Sequence, residues 1–191
     1  MDGTATTFAA NDAGCIASLP ACAGTATPLG PPIHVTEPQR VAYHEEPPNA
    51  GPHWPYWSPW GTLHAHTALP AERFIHNSEH QGVILLYRCD PAAGLPDGGS
   101  CDAMAAPLIA FANDGGPEDP LFASQGARRY LVTARPELPS SYAAIAWGWT
   151  LEMNDWDASA AACFAAAHLG AGPEPVTVDP DPFGCPQCFV P

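Results

Sequence analysis

Twenty-four prolines and 17 glycines, together 41 of 191 positions, restrict this chain more than any other feature. Each proline fixes φ and withholds a backbone donor, so long ladders and long helices are interrupted every few residues. Such a chain would be disordered if it were not also 46% apolar with six tryptophans. The combination reads as a packed core carrying long irregular loops, and the length suits one domain with extensions.

Charge removes several classes of function. Six arginines, no lysine and 20 acidic residues give 6 − 20 = −14. The cations that neutralise phosphates are missing, which excludes nucleic acid and anionic membrane surfaces as partners. Without lysine there is no Schiff-base or P-loop chemistry, and no G-x-S-x-G or G-x-G-x-x-G motif is present. The apolar runs Val83 to Tyr87 and Ala143 to Trp147 end long before the ~18 to 20 residues of a membrane helix, so no membrane insertion is expected.

Residues 1–40, rich in Ala, Thr, Gly and Pro, read as an irregular extension, 41–178 as a single globular domain, and 179–191 as a Pro- and Cys-rich tail. Val83 to Tyr87 predicts a buried strand, with 107–112 and 130–134 as weaker strands. From Ala143 to Met153, Ile145, Trp147, Trp149, Leu151 and Met153 alternate with smaller or polar residues, which predicts one central strand. Asp155 or Asp157 then caps an Ala-rich helix from about Ala158 to Leu169, and Gly170 supplies a left-handed end. The expected class is α+β: a small mixed or antiparallel sheet, a C-terminal Ala-rich helix and long Pro/Gly-rich loops.

Seven cysteines in an acidic, Pro-rich chain point to an oxidising compartment, extracytoplasmic and thus periplasmic, secreted or surface-anchored. No signal segment opens the sequence, which therefore reads as the mature part of an exported protein behind a start Met. Cys89 with Cys101 would close a Gly/Pro/Asp loop, and Cys15 with Cys22 would staple the N-terminal extension. Cys185-Pro-Gln-Cys188, in a Pro-rich tail, reads as a structural disulfide rather than a redox centre. Spacing leaves the pairing open. One thiol is left over, and Cys163, inside the expected helix, is the candidate.

Eight histidines are present, and His53, His64, His66, His76 and His80 fall within 28 residues. Imidazole suits zinc, copper, iron and nickel. His76 and His80 would lie about 13 Å apart on a strand, too far to share an ion, so sharing demands a helix or turn. There Glu79 stands beside the pair, placed to orient an imidazole or carry a proton. The order His-x-x-Glu-His is also that of inverted zinc peptidases, but Asn77, Ser78, Gln81 and Gly82 suit the interior of a long helix poorly. His53 follows Gly51-Pro52 in a rigid, Trp-rich loop. His64 and His66 would share one face if extended, and the Met153 thioether would favour copper if it reached the imidazoles; these three are weaker candidates. His34, His44 and His168 belong to no constellation.

The motifs Pro47-Pro48-Asn49-Ala50-Gly51-Pro52-His53-Trp54, Trp60-Gly61, Glu72-Arg73-Phe74-Ile75-His76-Asn77-Ser78-Glu79-His80-Gln81-Gly82-Val83, Ala146-Trp147-Gly148 and Gly172-Pro173-Glu174 occur in that order. Over most of Val41 to Pro175 the chain resembles a bacterial family of extracytoplasmic proteins, domain of unknown function 3105. Its pattern reads roughly SGPH and VHNLEHGGV, so this chain departs with Ala50 for Ser, Ser78 for Leu and Gln81 for Gly. The resemblance singles out His53, His76, Glu79 and His80 and implies no activity.

Three readings follow. The first is a secreted or periplasmic protein holding one transition-metal ion, copper first and zinc second, on His53, His76 and His80. The second is a metal-dependent enzyme, a copper oxidase or zinc hydrolase. The third is a metal-free binding or structural module whose aromatic loop docks a partner.

Overall fold

The computed structural model describes residues 21–61, 63–64, 68–95, 99–119 and 128–174. Among them six strands form one mixed sheet: β1 Thr25–Ala26, β2 Leu63–His64, β3 Val83–Tyr87, β4 Tyr130–Ala134, β5 Tyr142–Ala146 and β6 Trp149–Met153, in the order β1-β6-β5-β3-β4-β2. Three α-helices accompany them: α1 Ala71–Glu79, α2 Cys101–Ala110 and α3 Ala158–His168. The fold is α+β.

β3 is central, parallel to β4 and antiparallel to β5, which is why five consecutive apolar residues are all buried. Val83, Leu85 and Tyr87 face one core layer with Ala105 and Leu108 of α2 and Ala161, Phe164 and Ala165 of α3. Ile84 and Leu86 face the other, with Phe74 and Ile75 of α1. α1 is thus the helix on its face of the sheet, and the histidine motif lies on it.

The helix expected near 158–169 is found as α3, with Asp157 accepting from the Ser159 and Ala160 amides and Gly170 at φ +90°. The single strand expected over 143–153 is instead a hairpin. Ala146 pairs with Trp149 around Trp147-Gly148, with Gly148 at φ +76°. A two-residue turn reverses the parity of the faces: Ile145 and Trp147 pack with α1, whereas Trp149 and Leu151 pack on the opposite side. The strand expected over 107–112 is also corrected, since it falls on α2 and the helical turn after it. Ser100 caps α2 by accepting from the Asp102 amide, and Cys101, Ala105, Leu108 and Ala112 recur at helical spacing into the core. Pro107 sits inside the helix and leaves the Ala103 carbonyl without its helical donor.

The described part of the expected N-terminal extension is built into the fold. β1 pairs with β6, and Ile33–Val35 runs beside His53. Segments this short show no periodicity. Disulfides join Cys22 to Cys163 and Cys89 to Cys101. Cys163 is therefore not the leftover thiol, and Cys22 is not paired with Cys15; a sequence separation of 141 residues is what hid the bond. Cys15, Cys185 and Cys188 lie outside the described residues.

Candidate metal centre

The last turn of α1 carries His76 and Glu79, and His80 is its C-cap. Asn77 and Ser78, poor helix residues by propensity, are tied down by their side chains. Asn77 accepts from the Ser58 amide and donates to the Ser58 carbonyl, at 2.9 and 2.8 Å, which docks the Trp-rich loop on the helix. Ser78 Oγ donates to the Ile75 carbonyl. The long-range bonds of Asn77 and the local bond of Ser78 here override intrinsic preference.

The second contributor is the loop holding His53. Its backbone pairs with Ile33–Val35: the Val35 amide donates to the His53 carbonyl at 2.7 Å, and the His53 amide to the Ile33 carbonyl at 3.0 Å. This pairing sets His34 beside His53. The Trp54 amide donates to the Glu72 carbonyl at the start of α1, so loop and helix are held together.

His34, His53, His76 and Glu79 each bring one donor atom to a common point, all within 4.8 Å of one another. The three imidazole centroids form a near-equilateral triangle of 5.0, 5.0 and 4.9 Å. His53, His76 and Glu79 are buried, and the His34 side chain is 42% exposed. His53 Nδ1 lies 2.8 Å from the Gly51 carbonyl, and His76 Nδ1 lies 2.7 Å from the Trp54 carbonyl. A carbonyl only accepts, so both rings carry their proton on Nδ1 and present a bare Nε2 when neutral. Proteins orient metal-ligating histidines by this kind of bond.

His53 Nε2 and Glu79 Oε2 approach to 2.9 Å, yet the approach lacks the angles of a hydrogen bond, and both atoms are buried without a partner. Buried polar atoms are seldom left so. A cation between these two donors would satisfy both, so the donor set fits a metal ion.

Burial lowers the His76 pKa to about 2, with the neighbouring His80 and His53 acting the same way. Burial also lowers that of His80 to about 4, against the pull of Glu79. Both rings therefore stay neutral, as ligands must. Trp57 packs edge-on against them, with centroids 4.2 Å from His80 and 5.2 Å from His76. On the exposed side, a cleft of about 510 Å³ is lined by His34, Val35, Thr36, Glu37, Pro55 and Tyr56.

The other expected residues fall differently. His80 Nε2 touches His76 Nε2 at 2.9 Å but groups with Glu79 and Glu174, in a second set of donors. Glu79, expected beside the ligands, is itself among the converging donors. Met153 is corrected: its partner in the hairpin is Tyr142, which packs on the sheet face opposite α1, so its thioether does not reach the imidazoles. His64 lies on the edge strand β2, and His66 lies outside the described residues. His34 was not singled out from the sequence. Its one signal is the apolar-His-apolar triplet Ile33-His34-Val35, which projects an imidazole to one side when extended.

Residues 34–180 match the model of a family described as a protein of unknown function, DUF3105. The match begins at His34. No curated protein and no solved structure matches the chain.

Proposed function

The chain belongs to the DUF3105 family, and on that premise we propose that it is an extracytoplasmic metal-binding protein whose ion is held by His34, His53, His76 and Glu79. The observation that carries this reading is the convergence of those four donors, together with two buried atoms of the set, His53 Nε2 and Glu79 Oε2, that have no hydrogen-bond partner. Three imidazoles and one carboxylate suit a divalent transition ion, zinc or copper(II). Sulfur no longer argues for copper, because Met153 is on the other face of the sheet. Two disulfides support an oxidising compartment, and among the described residues no helix is long and apolar enough to cross a membrane.

The cleft beside His34 favours a second reading, a metal-dependent enzyme, because a small molecule can approach the donors from that side. Bound there, the ion would supply Lewis acidity or an activated water. Glu79 and the carbonyl-anchored His53 and His76 would fix its position.

Elemental analysis of chelator-stripped protein offered zinc and copper in competition tests the binding. At least one ion per chain is expected, lost in His53→Ala and His76→Ala. No retained ion, with a melting temperature indifferent to chelator, would sink the reading and favour a metal-free module.

A further inference from the structure

We propose that the centre is built for two ions, with Glu79 shared between the first site and a second one formed with His80 and Glu174. This inference rests on the metal-binding reading and extends it.

Two sets of donors meet at Glu79: His34, His53, His76 and Glu79 in one, and Glu79, His80 and Glu174 in the other, each within 4.8 Å internally. Ligands of one ion with bonds of ~2.1 Å stand at most about 4.2 Å apart, and a residue left out of the first set lies more than 4.8 Å from at least one of its donors, so it cannot complete that set even where, like His80, it is 2.9 Å from His76. His80 is 8% exposed and its Nδ1 is buried with no partner, while its Nε2 lies 3.6 Å from Glu174 Oε2.

The chain spends a dedicated loop on bringing Glu174 there. The Gly170 amide donates to the Gln81 carbonyl at 3.0 Å, and the Glu174 amide donates to the Glu79 carbonyl at 3.1 Å. Gly172 sits against the Ser78 and Glu79 carbonyls so closely that no side chain fits. Glu79 and Glu174 also bring two carboxyl groups to the C-terminal end of α1, where the helix dipole favours a cation.

Cobalt(II) titration of the stripped full chain, with ions counted after desalting, tests this. Two ions per chain are expected, and one in His80→Ala and in Glu174→Gln. Glu174 is 56% exposed, so that variant keeps its fold. With copper(II) at two equivalents, the paramagnetic resonance signal should be weaker than twice the one-equivalent signal through coupling of the ions. One ion in the parent, unchanged in either variant, overturns the second site and leaves the first standing. No ion in any of them overturns both.

Discussion

His53 Nε2 faces Glu79 Oε2 across 2.9 Å inside the protein, and neither atom has a hydrogen-bond partner. A buried carboxylate oxygen left without a hydrogen-bond partner costs stability, by about 1 to 3 kcal/mol. An ion between the two atoms would turn that cost into a ligand bond. The fold retains the arrangement because α1 and the His53 loop are locked to each other by Asn77, Ser58, Trp54 and Glu72.

Glu79→Gln therefore has opposite effects on the two forms. The ion-free protein is expected to melt a few degrees higher, since a neutral amide is cheaper to bury than a carboxylate with one oxygen lacking a hydrogen-bond partner. The rise in melting temperature on adding zinc, a mass-action effect worth about 2.7 kcal/mol at a hundredfold excess over Kd, is expected to vanish. Calorimetry of parent and variant, with and without zinc, checks both. A variant that still gains stability from zinc would remove Glu79 from the ligands.

Met153→Leu is expected to leave the bound ion and its affinity unchanged. The swap conserves volume and costs less than about 1.5 kcal/mol in a packed setting. Ion counting on the purified variant is sufficient, and loss of the ion would mean that the thioether does reach the site.

What could be read in the sequence was local, and what could not was long-range. α3 announced itself through Asp157, a run of alanines and Gly170, and β3 through five apolar residues in a row. His76, Glu79 and His80 share a motif five residues long, so their meeting needed only the helical turn. His34 joins them through backbone pairing with a segment 19 residues away, and Cys22 finds Cys163 across 141. Neither distance leaves a periodic trace. The hairpin was missed for a different reason: a turn of two residues, Trp147-Gly148, preserves the count of alternation while exchanging the faces. Met153 became a copper candidate through that exchange alone.

Acid should destabilise the ion-free protein before it protonates His76 and His80. An unfolded histidine takes its proton near pH 6.5, whereas in the fold His80 does so at about 4 and His76 at about 2. Between these limits the unfolded chain binds more protons, so stability is complete above about pH 6.5 and falls as pH drops. Each of the two contributes a slope of about 1.4 kcal/mol per pH unit, ending near pH 4 for His80 and continuing for His76. His168, lowered by burial, adds in the same sense. Urea midpoints of stripped protein at about pH 7, 6 and 5 should fall steadily. A flat profile would mean that these rings are not held neutral.

Gly172 is the position where a single methyl group tests how the C-terminal loop serves the centre. A Cβ there would stand well inside 3 Å of the Glu79 carbonyl oxygen, the Gln81 amide nitrogen and the Ser78 carbonyl oxygen, all backbone atoms at the end of α1 that cannot step aside. Gly172→Ala must therefore lift the loop. The Glu174 amide then loses the Glu79 carbonyl, and the Glu174 carboxylate retreats from His80. Overpacking of this kind costs about 1 to 3 kcal/mol, visible as a lower urea midpoint at unchanged slope. The ion count should fall from two to one, because His34, His53, His76 and Glu79 take no side-chain support from the loop. A variant that loses stability yet keeps both ions would show that the loop braces the helix without supplying a ligand.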